Sequence, residues 1–144
     1  MIRAAPGILQ ALRANYAAGY LQTVEELIHA DVFADFLEMA AHLLRQGYKD
    51  PAAVMTGSAL EEHLRKLCEK HSISLLRGDE PRKASALNDD LKRADVYANL
   101  DHKSVTAWLD LRNDAAHAHY ERYERPQVQL MLDGVRDFLR RLPA

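Results

Sequence analysis

Between Leu111 and Tyr120 the chain reads Leu111-Arg112-Asn113-Asp114-Ala115-Ala116-His117-Ala118-His119-Tyr120, which brings a guanidinium, an amide, a carboxylate and two imidazoles close together in sequence. Histidine titrates near neutrality and can move a proton during a reaction. Arginine keeps its charge at every accessible pH and offers a planar fork to phosphate or carboxylate oxygens. Side by side, the two types suit acid–base chemistry next to a group on which negative charge accumulates. The same residues also have a purely structural use, because cations near a helix C-terminus complement its dipole and histidines there cap carbonyls.

Placement depends on the helix that carries them. Val105, Trp108 and Leu109 form an inward stripe, and its next members are Arg112 and Ala116. A guanidinium on an inward stripe is costly unless it meets a carboxylate or lines a cleft that admits an anion. If the helix ran on past Ala116, His119 would lie about 20° from Arg112 and His117 well off that face. If it ends near Ala116, His117 is free to swing beside Arg112. Both placements stand on spacing alone.

The rest of the chain is patterned as helix. Leu9, Leu12, Tyr16, Tyr20, Val24, Leu27 and Ile28 recur at intervals dominated by three and four, predicting a first helix from Ile8 to His29. Asp31 can cap a second helix carrying Val32, Phe33, Phe36, Leu37, Ala40, Leu43 and Leu44, which Gly47 ends. Asp50-Pro51 reads as a capping acid before a proline at the first helical position, opening a third helix with Leu60, Leu64, Leu67 and Cys68 inward. Ser72 to Arg82, with Gly78 and Pro81, reads as a loop, and a shorter helix starts near Ser85 with Leu87 and Leu91. Asp101 or His102 opens the fifth helix. The last starts near Pro126 and carries Val128, Met131, Leu132, Val135, Phe138, Leu139 and Leu142. No segment alternates as a strand does, and no repeat or linker interrupts, so the expectation is one all-α domain over residues 1–144, a bundle of about five or six helices.

Composition narrows the classes. At 144 residues the chain can bury roughly 70% of its unfolded surface without disulfides or structural metal. Its one cysteine, Cys68, cannot form an intrachain disulfide and reads as a small core residue. Met1-Ile2-Arg3-Ala4-Ala5-Pro6 lacks the basic start and apolar run of a secretion signal, and no stretch has the length of a membrane span, so a cytoplasmic location is expected. Nineteen Lys and Arg against 21 Asp and Glu leave a net charge of −2, so any nucleic acid must be held by a local basic cluster. Arg77 to Arg93, with Arg82, Lys83 and Lys92, is the modest candidate for one. Glu26-x-x-His29 has the spacing used in carboxylate di-iron bundles but no second copy, and His117-x-His119 with Asp114 is an incomplete ligand set, so no metal or cofactor is expected. Glu61-Glu62 and Arg140-Arg141 read as solvated helix faces, and Trp108 as core.

Arg112-Asn113-x-x-x-His117 resembles the motif of the HEPN superfamily: an arginine, a polar residue, then a histidine after a gap of four to six. His117 meets it at a gap of four and His119 at six. Tyr120, Tyr123 and an amphipathic last helix follow, and Met55-Thr56-Gly57-Ser58-Ala59-Leu60-Glu61-Glu62-His63-Leu64-Arg65 is similar to the middle helix of small prokaryotic members. The likeness runs from about Asp50 onward. It implies a metal-independent endoribonuclease, or an inactive relative, acting as a homodimer whose two motifs meet in one cleft. Arg112 would steady the phosphate, His117 (the commoner, shorter gap) or His119 would move the proton, and Asn113 would orient one of them. The products would be a 2′,3′-cyclic phosphate and a 5′-hydroxyl. The family includes toxins and defence nucleases restrained by an antitoxin or other protein, and also modules that only dimerise or bind a nucleotide or partner. In the branch paired with a minimal nucleotidyltransferase, a tyrosine lies two residues after the motif histidine; here that position is His119, with Tyr120 one place later.

Overall fold

The computed structural model describes residues 6–144. It is a bundle of five helices: α1 (Pro6–Arg45), α2 (Lys49–Lys70), α3 (Ala84–Arg93), α4 (Asn99–Ala116) and α5 (Arg125–Arg141). None of the described helices is long and apolar enough to cross a membrane.

The break expected at Asp31 is not there. From Ile8 to Gln46 the sequence contains no proline and one glycine, and Asp31 is exposed, so nothing stops the helix and the carboxylate stays in water. One rod replaces the two expected helices. It ends where expected, with Gly47 at φ +92°, a conformation natural to glycine.

The entry to α2 also differs from expectation. The helix opens at Lys49, with Tyr48 as the flanking residue and no side-chain cap, so Pro51 is not its first residue. Asp50 instead accepts a hydrogen bond from the Tyr123 hydroxyl, and Lys49 Nζ donates to the carbonyls of Tyr120 (2.6 Å) and Tyr123 (2.7 Å). Asp50 thus fastens the α4–α5 connection to the start of α2.

Within the expected loop, two short strands, β1 (Leu76–Arg77) and β2 (Glu80–Pro81), pair antiparallel about Gly78, with Leu76 opposite Pro81 and Arg77 opposite Glu80. Their two-residue length is too short for apolar alternation to announce them. Helix α4 opens at Asn99, ahead of the expected Asp101. Helix α5 is closed at its start by a reciprocal pair, the Glu124 side chain accepting from the N3 backbone and Gln127 Oε1 accepting the Glu124 N–H at 2.7 Å.

Helix α2 lies centrally and packs against the other four. Ala52, Ala53, Thr56, Gly57, Ala59 and Leu60 are all buried, so small side chains let neighbours approach it from several sides. Leu37, Ala40, Leu60, Leu64, Leu87, Leu91, Val105, Leu132, Val135 and Phe138 form the main core. Each large apolar side chain so buried contributes about 1.5–3 kcal/mol. Phe138 is its hub, edge-on to His63, Tyr97 and Trp108 at centroid distances of 6.0, 5.4 and 6.2 Å.

Candidate functional site

Helix α4 ends at Ala116 through a tight reversal. The His117 N–H returns to Asn113 O (3.0 Å), Ala118 N–H to Ala115 O (3.4 Å), and His119 N–H to Asp114 O (2.8 Å). This is a Schellman-type ending in which the left-handed position is held by Ala118, at φ +61°, instead of glycine. The reversal separates the two histidines. His117 stays on the last turn and lines a groove with Arg112 and Asn113, whereas His119 follows the turn, precedes the one-turn 3-10 helix Tyr120–Arg122 and does not line that groove.

The groove encloses about 820 Å³ between α2, α4 and the segment running from the hairpin into α3. Its cations are Arg65, Arg82, Lys83 and Arg112, and its carboxylates are Glu61, Asp89 and Asp110. Arg82 is committed to Asp90 at 2.6 Å, and His102 to Asp89 at 2.7 Å. Two residues of the modest basic cluster, Arg82 and Lys83, therefore stand at the groove that holds the motif.

Arg112 reaches this position because α2 makes room for it. A Cβ on Gly57 would fall 2.0 Å from Arg112 Cγ, so the arginine stem lies across the glycine. One turn further along α2, Glu61 meets Arg112 Nη1 at 3.5 Å, the same distance as Asn113 Oδ1. Arg112 Nε is buried without a hydrogen-bond partner among the described residues. Two long contacts leave most of the five guanidinium N–H donors unused, and leaving a buried one unmade is costly. The groove is open, so an anion entering it would meet donors already desolvated on one side. Sequence reasoning anticipated a carboxylate or a cleft for Arg112, and the structure supplies both. Glu61, read as part of a solvated face, is instead the partner. The signal lay in Gly57 and Glu61 standing four apart and so sharing one face of α2.

His117 Nδ1 lies 2.8 Å from Asn113 O. A carbonyl only accepts, so Nδ1 carries the hydrogen, and in the neutral ring Nε2 is the nitrogen that presents a lone pair. The backbone of Asn113 orients His117, while its side chain touches Arg112. The two functions expected of that residue are thus divided between its main chain and its amide.

The remaining candidates have structural roles. Cys68 is buried and its thiol pKa is pushed up to about 11, chiefly by burial, which makes it a poor nucleophile. Glu26 pairs with Lys70 at 2.7 Å, while His29 stacks on His63 with ring centroids 5.6 Å apart. Among the described residues no three His, Cys, Asp or Glu side chains gather in a metal-binding group. Arg141, read as solvated, ties α5 to α4 through Asp101 and also holds Asp137, both at 2.7 Å. His63 went unnoticed in the sequence although Leu60 and Leu64 flank it on the apolar face. Its Nε2 donates to Leu142 O at 2.7 Å, and burial above all, with His29 and Lys70 nearby, lowers its pKa to about 4.

Comparisons with models of protein families, with curated proteins and with solved structures found no match for this chain.

Proposed function

We propose that the chain is a metal-independent endoribonuclease of the HEPN type, acting as a homodimer in the groove between α2, α3 and α4. The observation that carries this reading is Arg112: a guanidinium with unused donors on the wall of an open groove, one turn from an oriented imidazole. His117 Nε2 takes the proton of a ribose 2′-hydroxyl, and the freed oxygen attacks the adjacent phosphorus. Arg112 holds the phosphate oxygens as charge builds on them. The P–O5′ bond breaks, the leaving oxygen regains a proton, and a cyclic phosphate and a 5′-hydroxyl result. DNA, lacking the hydroxyl, is inert. Asn113 supports both groups, and Lys83 and Arg65 line the path of the phosphate backbone. A toxin or defence role with a restraining partner such as an antitoxin fits such an activity.

The test is cleavage of RNA by wild type, Arg112→Ala, Arg112→Lys, His117→Ala and His119→Ala, with and without EDTA. Loss of His117 should lower the rate on the order of 10²–10⁴-fold. Lysine at position 112 keeps the charge but loses the fork, and should be nearly as damaging as alanine. His119→Ala should leave cleavage intact. Cleavage that survives Arg112→Ala, or that EDTA abolishes, overturns the reading.

The Glu61 contact favours a second reading, a helical module that binds a nucleotide or protein partner and in which Arg112 is an internal ion-pair member. Glu61→Gln separates the two. In a nuclease it frees Arg112 and preserves or raises cleavage; in the module it lowers stability and no cleavage is seen.

A further inference from the structure

Helix α1 is 40 residues long, about 60 Å at 1.5 Å per residue. Its C-terminal half enters the core through Phe33, Leu37, Ala40 and Leu44. From Gly7 to Thr23 every residue is exposed. That segment is nevertheless rich in large apolar side chains: Ile8, Leu9, Leu12, Tyr16, Tyr20 and Leu21 are between 47% and 79% exposed, and Leu27 and Ile28 continue the series. At about 100° per residue, Leu9, Leu12, Tyr16, Tyr20 and Leu27 fall within about 80° of one another, forming a single stripe. A helical segment without tertiary contacts is only marginally stable in water.

The order of the stripe indicates what covers it. Counted outward from Ala18, two pairs of stripe residues stand at matching distances on both sides: Tyr16 with Tyr20, and Leu9 with Leu27. An antiparallel helix pair related by a two-fold axis at the level of Ala18 sets these residues opposite each other across the contact. Ala17 and Gly19 flank the axis and leave space for the tyrosine rings; a Cβ on Gly19 would meet nothing within 4 Å. Charge agrees, because Arg13 is the one charged residue between Gly7 and Val24. Such a face does not repel its own copy, and it lacks the Lys- and Arg-rich flank of helices that lie on membranes. Area agrees too. The five side chains of the stripe, exposing about 100 Å² each, offer roughly 500 Å² per partner and about 1,000 Å² in all, the size at which specific interfaces begin.

We propose that the bare stripe of α1 docks a second copy of this chain, the two helices packing antiparallel about a two-fold axis at Ala18. The inference goes beyond the ribonuclease reading and holds whether or not Arg112 cleaves RNA.

Light scattering at micromolar concentration should give twice the 16.3 kDa chain mass for wild type and the single mass for Leu12→Asp and Tyr16→Asp. Both variants should keep the far-ultraviolet helix signal of the bundle, since neither side chain reaches the core. The double variant Leu9→Cys/Leu27→Cys should form a disulfide-linked dimer on oxidation while either single variant does not, because antiparallel packing joins position 9 to position 27 of the copy. Cys68 is buried and does not compete. A monomeric wild type, a dimer that survives Tyr16→Asp, or cross-linking of a single variant overturns the proposal. So does wild type that binds phosphatidylserine vesicles as a monomer, which would give the stripe to a lipid surface.

Discussion

Two residues beside the groove are informative because neither does chemistry itself. Gly57 is the seat of Arg112, and with a Cβ 2.0 Å from Arg112 Cγ the arginine stem must move. On the ribonuclease reading, Gly57→Ala should suppress RNA cleavage with Arg112 still present, at a stability cost of about 1–3 kcal/mol from overpacking. Unchanged cleavage would detach the position of Arg112 from activity. Ala118 pays the strain of a left-handed conformation at the end of α4. Ala118→Gly should raise stability by about 1 kcal/mol in chemical denaturation, because glycine fits that position. His63 gives a third expectation, through pH. Its pKa is about 4 in the folded protein against 6.5 ordinarily, so between those values the unfolded chain binds a proton that the folded chain refuses. Stability should fall as pH drops through that window, by roughly 3 kcal/mol in total, and stay constant above it as far as this group is concerned. Denaturation midpoints at pH 7 and pH 4.5 should converge in His63→Phe; an unaltered difference would place the pH sensitivity elsewhere.

At the scale of elements, apolar spacing made the helices legible, but their ends are set by contacts that spacing does not record. Asp31 looked like a cap because Asp favours caps, yet no glycine or proline stands near it to break the chain, and the rod continues. Asp50 looked like a cap for the same reason, and a tyrosine 73 residues away uses it instead. The motif itself was legible as a cluster. Which histidine faces Arg112 was not, because that depends on a left-handed alanine, a conformation that alanine's presence does not advertise. At the start of α5, Gln127 and Glu124 do follow a local rule. Glu124→Ala should lower the unfolding free energy by about 1 kcal/mol, measured by denaturant titration, without altering the helix content of the folded state.

For the whole molecule, the spacing of α1 predicts a face buried within the bundle, whereas from Gly7 to Thr23 the helix stands exposed. Spacing says that a stripe will be buried and not by which copy. Antiparallel packing at Ala18 sends the two globular parts to opposite ends of the paired helices, so each Arg112 groove faces solvent separately. The single cleft implied by the family resemblance would require the α4 faces to meet as well. Tyr16→Asp distinguishes these arrangements: cleavage per chain should match wild type if each groove acts independently, and should collapse if the second copy completes the site.

Trp108 has a use that its packing makes available. It is the chain's one tryptophan, it lies one turn before Arg112 on α4, and its ring rests against Gly134 and Phe138 of α5. Light absorbed at the red edge of the protein's spectrum is therefore collected at a single indole in the joint between the motif helix and the last helix. Its emission colour and quenching report that joint alone, so an RNA that shifts α4 on entering the groove announces itself optically, with no label attached.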